Sequence, residues 1–479
     1  MPCILPRTLL LAAFTLLAAC AGSSTGTTSD SGSAPTEQPA GPWDEGEFLA
    51  AEPQGRGDPD VGRDMLLGGP FMTCGIPWKI WENPAFQGLI SQGFGGGPDA
   101  PNVPGREGKN AELPYCLNVF EAQDGAEVVN ANWLLCHGGQ CDGELVIGLG
   151  NANADFTSGF GNPGTSGALP PEVLATLSLD EKEEAHFTKM LTRGAIIGDT
   201  TAMRTIGMNP AEVLAVVLMV HHDRDTLEWS DDELAPIVRR DHDGNVLPDY
   251  KRTSDPPPWW RVHKKTALFY NGMARGDHRC TMALATSVCV DDVEQARRID
   301  AWFRDIQAFV DSVRAPKYPR AIDAALASEG EEVFVANRAR CHGTYSENEA
   351  DETYPNLLIP LDVIGTDPAV AESGAVHSPE LVEWYNASFY GEITQVEPND
   401  PFPGYMPPPL DGIWATAPFL HNGSVPTAEL LLNSGARPTR WRRFDLDTTY
   451  WSQANTGHPF GDHLTREERR AVIEYLKTV

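Results

Sequence analysis

The clearest periodic pattern in the chain lies in VEQARRIDAWFRDIQAFV, where Ile299, Trp302, Phe303, Ile306 and Phe309 recur at helical spacing. That spacing predicts an amphipathic helix with all five side chains turned to a core. A second helix is signalled at the end of the chain. Thr465 and Glu468 stand at capping-box spacing, and Val472, Tyr475, Leu476 and Val479 then share one face. The run Ala211 to Val220 is apolar on every side apart from Glu212. It falls well short of the ~20 residues that cross a bilayer and reads as a core helix.

A different pattern opens the chain. Arg7 precedes an apolar run from Thr8 to Ala19, which ends in Leu17-Ala18-Ala19-Cys20. The proportions are those of an export signal. The ending matches the sequence at which bacterial lipoproteins are cleaved and lipidated, here on Cys20; a plain signal peptide cut nearby is the alternative. Residues 21–55 are rich in Gly, Ser, Thr and Pro and read as a flexible tether. The expectation is an exported bacterial lipoprotein, periplasmic or on the outer membrane, with membrane contact through its lipid anchor only.

Charge and cysteine usage narrow the class. The chain has 479 residues, with 67 acidic against 36 basic, for a net charge of −31. Such a field disfavours nucleic acid and favours a basic partner, such as a periplasmic electron-transfer protein. The length suits two or three domains. Of nine cysteines, Cys3 and Cys20 belong to the leader, leaving Cys74, Cys116, Cys136, Cys141, Cys280, Cys289 and Cys341. An oxidising compartment can pair them, but an odd number leaves at least one with another fate. Thioether attachment to haem is one such fate.

An internal repeat points the same way. DGAEVVNANWLLCHG (Asp124 to Gly138) and EGEEVFVANRARCHG (Glu329 to Gly343) align without gaps, and each ends in Cys-His-Gly. Covalent haem sites use C-x-x-C-H. Two thiols one helical turn apart reach one porphyrin edge, and the adjacent His ligates the iron. Val128 and Val129, or Val333 and Phe334, would form the helix face that packs on the ring, and the Gly after His lets the chain turn away. Trp133 and Arg338 stand where the first cysteines would be. One thioether each from Cys136 and Cys341 can still hold a haem. The competing readings are a scaffold that has dropped its cofactor and a disulfide between Cys136 and Cys141.

The stretch GYMPPPLDGIWATAPFLHNGSVPTAELLL (Gly404 to Leu432) resembles exported dihaem c-type cytochromes related to bacterial rubber oxygenase. More distantly it is similar to dihaem cytochrome c peroxidases. GELVIGLGN (Gly143 to Asn151), PPPWW with Lys264-Lys265, and CHGTY with YPN and IGTDP add to the resemblance, which runs from about Gly62 to the end. It implies a mainly α fold: a cytochrome c-like domain at 56–200, a helical and loop connection at 201–317 packing on both domains, and a second cytochrome c-like domain at 318–479. It implies two haem c groups, with His137 and His342 as proximal ligands and His421 as distal ligand of the C-terminal haem. The N-terminal haem would keep an open face for dioxygen or peroxide. The activity implied is electron transfer or haem-based oxidation of peroxidase or dioxygenase type, acting on a small-molecule oxidant or an organic substrate. Pro408 departs from the pattern, since family members commonly carry arginine there. The rival is a haem-free lipoprotein on the same scaffold, with disulfides and a structural or binding role.

Met406 is a competing sixth ligand, although a loop methionine is the plainer reading. Trp259 and Trp260 could relay electrons and His263 could act as acid or base, against a packed aromatic pair at a loop end. His221-His222-Asp223 reads as a solvated helix end rather than a metal site. Asp241-x-Asp243-Gly244-Asn245 resembles the start of a calcium loop but has Arg252 where the closing glutamate belongs; a polar turn and a calcium between the domains both stay open. No G-x-S-x-G, Walker or H-E-x-x-H motif is present.

Overall fold

The structure, a computed structural model, describes residues 47–48, 54–55, 57–84, 86–87, 100–159, 176–231, 252–397, 402–441 and 446–479. Cys3, Cys20, the leader, nearly all of the tether and the Asp241–Asn245 loop lie outside the described residues. Helix predominates, and the strands form small two- and three-stranded sheets with no barrel among the described residues. No described helix is long and apolar enough to cross a membrane.

Two helix crossings organise the chain. Helix α1 (Pro59–Gly68) starts at an Asp58 cap and packs on α2 (Val293–Ser312), the helix with the strongest sequence pattern. Helix α3 (Ala324–Asn337) starts at an Asp323 cap and packs on α4 (Arg466–Tyr475), whose Thr465–Glu468 capping box is formed. Each crossing closes on a glycine. A Cβ at Gly62 would sit 1.9 Å from the Asp305 carbonyl oxygen, and one at Gly330 would sit 2.0 Å from that of Ala471. Only a residue without a side chain lets the backbones approach this closely.

The two crossings belong to two cores. The larger core runs from Met65 to Val310 and also takes in Leu381, Tyr385, Phe389 and Val396. The second joins Phe334, Leu410, Phe419, Val425, Val472 and Tyr475. The apolar helix Ala211–Val220 is buried in the larger core, as its composition demands. A disulfide between Cys74 and Cys289 ties the segment after α1 to the segment before α2.

Three sequence expectations change. Val128 and Val129 lie in the strand Glu127–Ala131, paired with Leu117–Glu121 across an Asp124-Gly125 turn, and not on a helix. The β-branched pair and the turn-forming Asp-Gly favour a hairpin. The second copy differs because the Ala-rich, capped run before it carries a helix through Val333 and Phe334. Trp302 is 36% exposed while Ile299, Phe303, Ile306 and Phe309 are buried. It sits at the edge of a stripe that Ala296 and Val310 complete on the other side. His221 and His222 are buried rather than solvated. A short return of the chain brings Trp229 against both rings, and each His Nδ1 meets a backbone carbonyl, Ser230 for His221 and Leu218 for His222.

The Gly330→Val variant is expected to lose ~1–3 kcal/mol of stability through overpacking, read as an earlier denaturant midpoint. An unchanged midpoint would mean that α3 and α4 separate freely. Removing the disulfide with Cys74→Ser and Cys289→Ser should cost ~2–5 kcal/mol, measured the same way on the oxidised protein.

Candidate functional site

The two Cys-His elements fold into the same turn. In the first, Cys136 and His137 both donate their backbone N–H to the Trp133 carbonyl, at 3.2 and 3.0 Å. In the second, Cys341 and His342 both donate to the Arg338 carbonyl, at 3.0 Å each. The positions lacking cysteine therefore start a helical turn that presents the remaining thiol three residues later. Cys136 and Cys341 are free thiols. The pairing of Cys136 with Cys141 is not made. Burial pushes the Cys136 thiol up to about 12 and raises that of Cys341, so both stay protonated at neutral pH.

Each histidine is held in the same way. His137 Nδ1 lies 3.0 Å from the Pro257 carbonyl, and His342 Nδ1 lies 2.8 Å from the Pro408 carbonyl. A carbonyl only accepts, so Nδ1 donates in both cases, and in the neutral ring Nε2 is left with a lone pair. Burial holds both rings down to about 4, hence neutral at pH 7. Pro257 and Pro408 are the middle residues of the chain's only two triple-proline runs. The two runs are a sequence signal that matches the two Cys-His turns. The pairing also gives Pro408 a role that arginine is not needed for, because the contact is made by the backbone.

Each turn is tied to its proline run by one further residue. Gly148, within GELVIGLGN, donates to the His137 carbonyl at 2.8 Å and accepts from Trp259 N–H at 2.8 Å. Its φ of +88° suits glycine. In the second unit Tyr345, within CHGTY, does the same with its hydroxyl. It donates to the His342 carbonyl at 2.7 Å and accepts from Leu410 N–H at 2.5 Å.

A cavity opens beside each turn. The N-terminal one has about 1690 Å³ of empty space including its mouth, and its walls include Trp133, Cys136, His137, Trp259, Met282 and Val310. The C-terminal one has about 1410 Å³, with Cys341, His342, Met406, Leu410, Phe419 and His421 in its walls. Trp259 stacks on His137 with ring centroids 5.0 Å apart, while Trp260 turns away to donate to the Asp411 carbonyl. Trp133 packs between Phe71 and Phe303. His263 pairs with Glu349 at 2.9 Å and lines neither cavity.

His421 is buried in the C-terminal cavity wall and lies flat on Tyr405, with centroids 4.2 Å apart. Its Nε2 is 3.1 Å from the Tyr405 hydroxyl. That hydroxyl donates to the Asp367 carbonyl at 2.7 Å and accepts from Ala371 N–H. Its single proton is spent, so His421 Nε2 donates and Nδ1 keeps the lone pair. His458, which the sequence reading passed over, shares the cavity. Its ring centroid is 6.3 Å from that of His342, close enough for both rings to offer a nitrogen to one ion at ~2 Å. Burial holds it down to about 3. It sits alone in a Gly-, Pro- and Asn-rich loop, so local pattern could not find it. His278 likewise lines the N-terminal cavity, with both ring nitrogens buried and the Thr266 backbone beside the ring.

The donor set fits a covalent haem at each turn: a free thiol, an adjacent neutral imidazole with a fixed tautomer, and a mostly apolar cavity beside both. No group of three or more His, Cys, Asp and Glu converges among the described residues. A haem iron asks the protein for only one or two ligands.

Comparison with known proteins agrees in part. Residues 404–442 match the family model described as RoxA-like, cytochrome c-like. The segment contains Pro408 and His421 and supports a relation to that family. Two curated relatives come from Sinorhizobium fredii. Uncharacterized protein y4iJ is 31% identical over a match covering 35% of this chain and 41% of its own length. Uncharacterized protein y4iM is 26% identical over 41% of this chain and 48% of its own length. The chain thus spans less than half the length of the curated relatives it matches.

Tyr345→Phe should cost ~1–3 kcal/mol, because Leu410 N–H and the His342 carbonyl lose their common partner. Denaturant unfolding measures it; a wild-type midpoint would show that the bridge contributes nothing.

Proposed function

We propose that the chain is an exported dihaem c-type cytochrome acting in electron transfer or haem-based oxidation. The observation that carries this is the duplicated arrangement of thiol, imidazole and proline carbonyl, each beside a cavity. The cytochrome c-like match over residues 404–442 supports it independently.

In this reading Cys136 and Cys341 would each supply one thioether, and His137 and His342 would each offer Nε2 to an iron. The bound haem supplies one-electron and oxygen chemistry. The residues around it do the rest. The Pro257 and Pro408 carbonyls hold the imidazole rings in orientation and raise their basicity through the Nδ1 hydrogen bond. Trp259, stacked on His137, gives a packed aromatic contact out of the N-terminal site. In the C-terminal cavity His458 faces His342, and His421 is a second candidate held by Tyr405. A second ligand from either would close that iron to substrates and suit it to passing electrons. Small oxidants or organic substrates would then meet the N-terminal site. The acidic surface would draw a basic redox partner. The Cys74–Cys289 disulfide fits an oxidising compartment and so supports export.

The test is a haem stain and pyridine haemochrome spectrum of the full chain expressed with a c-type maturation system. The expected result is covalent haem with the signature of a single thioether, lost from one site in Cys136→Ser and from the other in Cys341→Ser. Trp133→Cys and Arg338→Cys should move the spectrum towards the two-thioether form. A colourless, folded protein would defeat the proposal and favour the haem-free scaffold.

A further inference from the structure

The two cavities share a wall. Pro258, Arg261, Tyr270 and Pro408 line both, and Arg261 is the one charged side chain common to the two linings. It sits on the short 3-10 segment Trp259–Lys264, immediately after the proline run that holds His137. The residue is 5% exposed. Its bonds go to neutral acceptors: Nε donates to the Asp411 carbonyl at 3.2 Å, and Nη2 to the Thr416 hydroxyl at 3.4 Å. No described carboxylate stands within ion-pair distance of it. The nearby Asp411 carboxylate is already engaged by Lys264 at 2.5 Å.

A buried guanidinium without a directly bonded counter-ion is costly to desolvate. The chain carries a surplus of 31 acidic charges, yet Asp411 and Asp255 act on this cation only from beyond bonding distance. A planar fork with donors on two sides is suited to carboxylates approaching from both. We propose that Arg261 is a shared clamp, receiving a carboxylate group of the ligand in each cavity and coupling the two sites electrostatically. The inference rests on the dihaem reading, in which those carboxylates are haem propionates. Arg261 is then a positioning and potential-setting residue. Its positive charge beside both cofactors disfavours the oxidised, more positive state of each and raises both midpoint potentials.

The experiment is a spectroelectrochemical titration of the full haem-bearing chain, resolving its two optical components. In Arg261→Gln both midpoint potentials should fall. In Arg261→Lys the charge stays but the fork is lost, so one potential should fall while the other holds near wild type. The lysine variant also covers failure of the glutamine variant to fold. Movement of one component alone in Arg261→Gln overturns the sharing, and movement of neither component in whichever variant folds overturns the clamp. Failure of the underlying reading is seen separately, as a wild-type chain without a Soret band before any substitution is made.

Discussion

An imidazole Nδ1–H bonded to a proline carbonyl is the constraint on which the two sites depend. It selects the tautomer, leaving Nε2 as the donor of electrons, and it fixes the plane of the ring. A triple-proline run suits the acceptor role. It has no N–H to compete, and its extended backbone is stiff before any ligand arrives. The bond forms only if the Cys-His turn and the proline run are brought to contact distance, although 120 residues separate His137 from Pro257 and 66 separate His342 from Pro408. Gly148 and Tyr345 bridge turn and run directly. The glycine-closed helix crossings hold the ends of each unit together.

The two units reach this arrangement by different means. One Cys-His turn follows a β-hairpin and the other follows a helix, although the preceding residues are alike. One bridge is a backbone amide in a left-handed glycine, the other a phenolic hydroxyl. Where the first cysteine of a haem motif would stand, one unit has Trp133 filling space between Phe71 and Phe303. The other has Arg338 donating to the Phe460 carbonyl. What the units share is the geometry at the imidazole, and that is the part ligand chemistry requires.

Charge is distributed against the net sign of the chain. The chain is acidic overall, while Arg261, Lys265 and Arg338 line the cavities, with Asp255 in the C-terminal one. Burial lowers the pKa of all three, Lys265 to about 8 and Arg338 to about 10, because each is held away from water with little compensation. Such cations are tolerable where a bound anion completes them.

The sequence by itself determined the elements whose signals are local. The capping box at Thr465, the stripe on α2, the apolar helix at Ala211–Val220 and the repeated Cys-His-Gly turn all rest on residues within a few positions of one another, where spacing and propensity act directly. Tertiary structure decided the rest. It brought His137 to Pro257 and His342 to Pro408, and bonded Cys74 to Cys289. It also placed His458 opposite His342 and Arg261 between two cavities. These depend on contacts between segments tens to hundreds of residues apart. No local pattern encodes such contacts, because the free energy that forms them comes from packing and from satisfying buried polar groups.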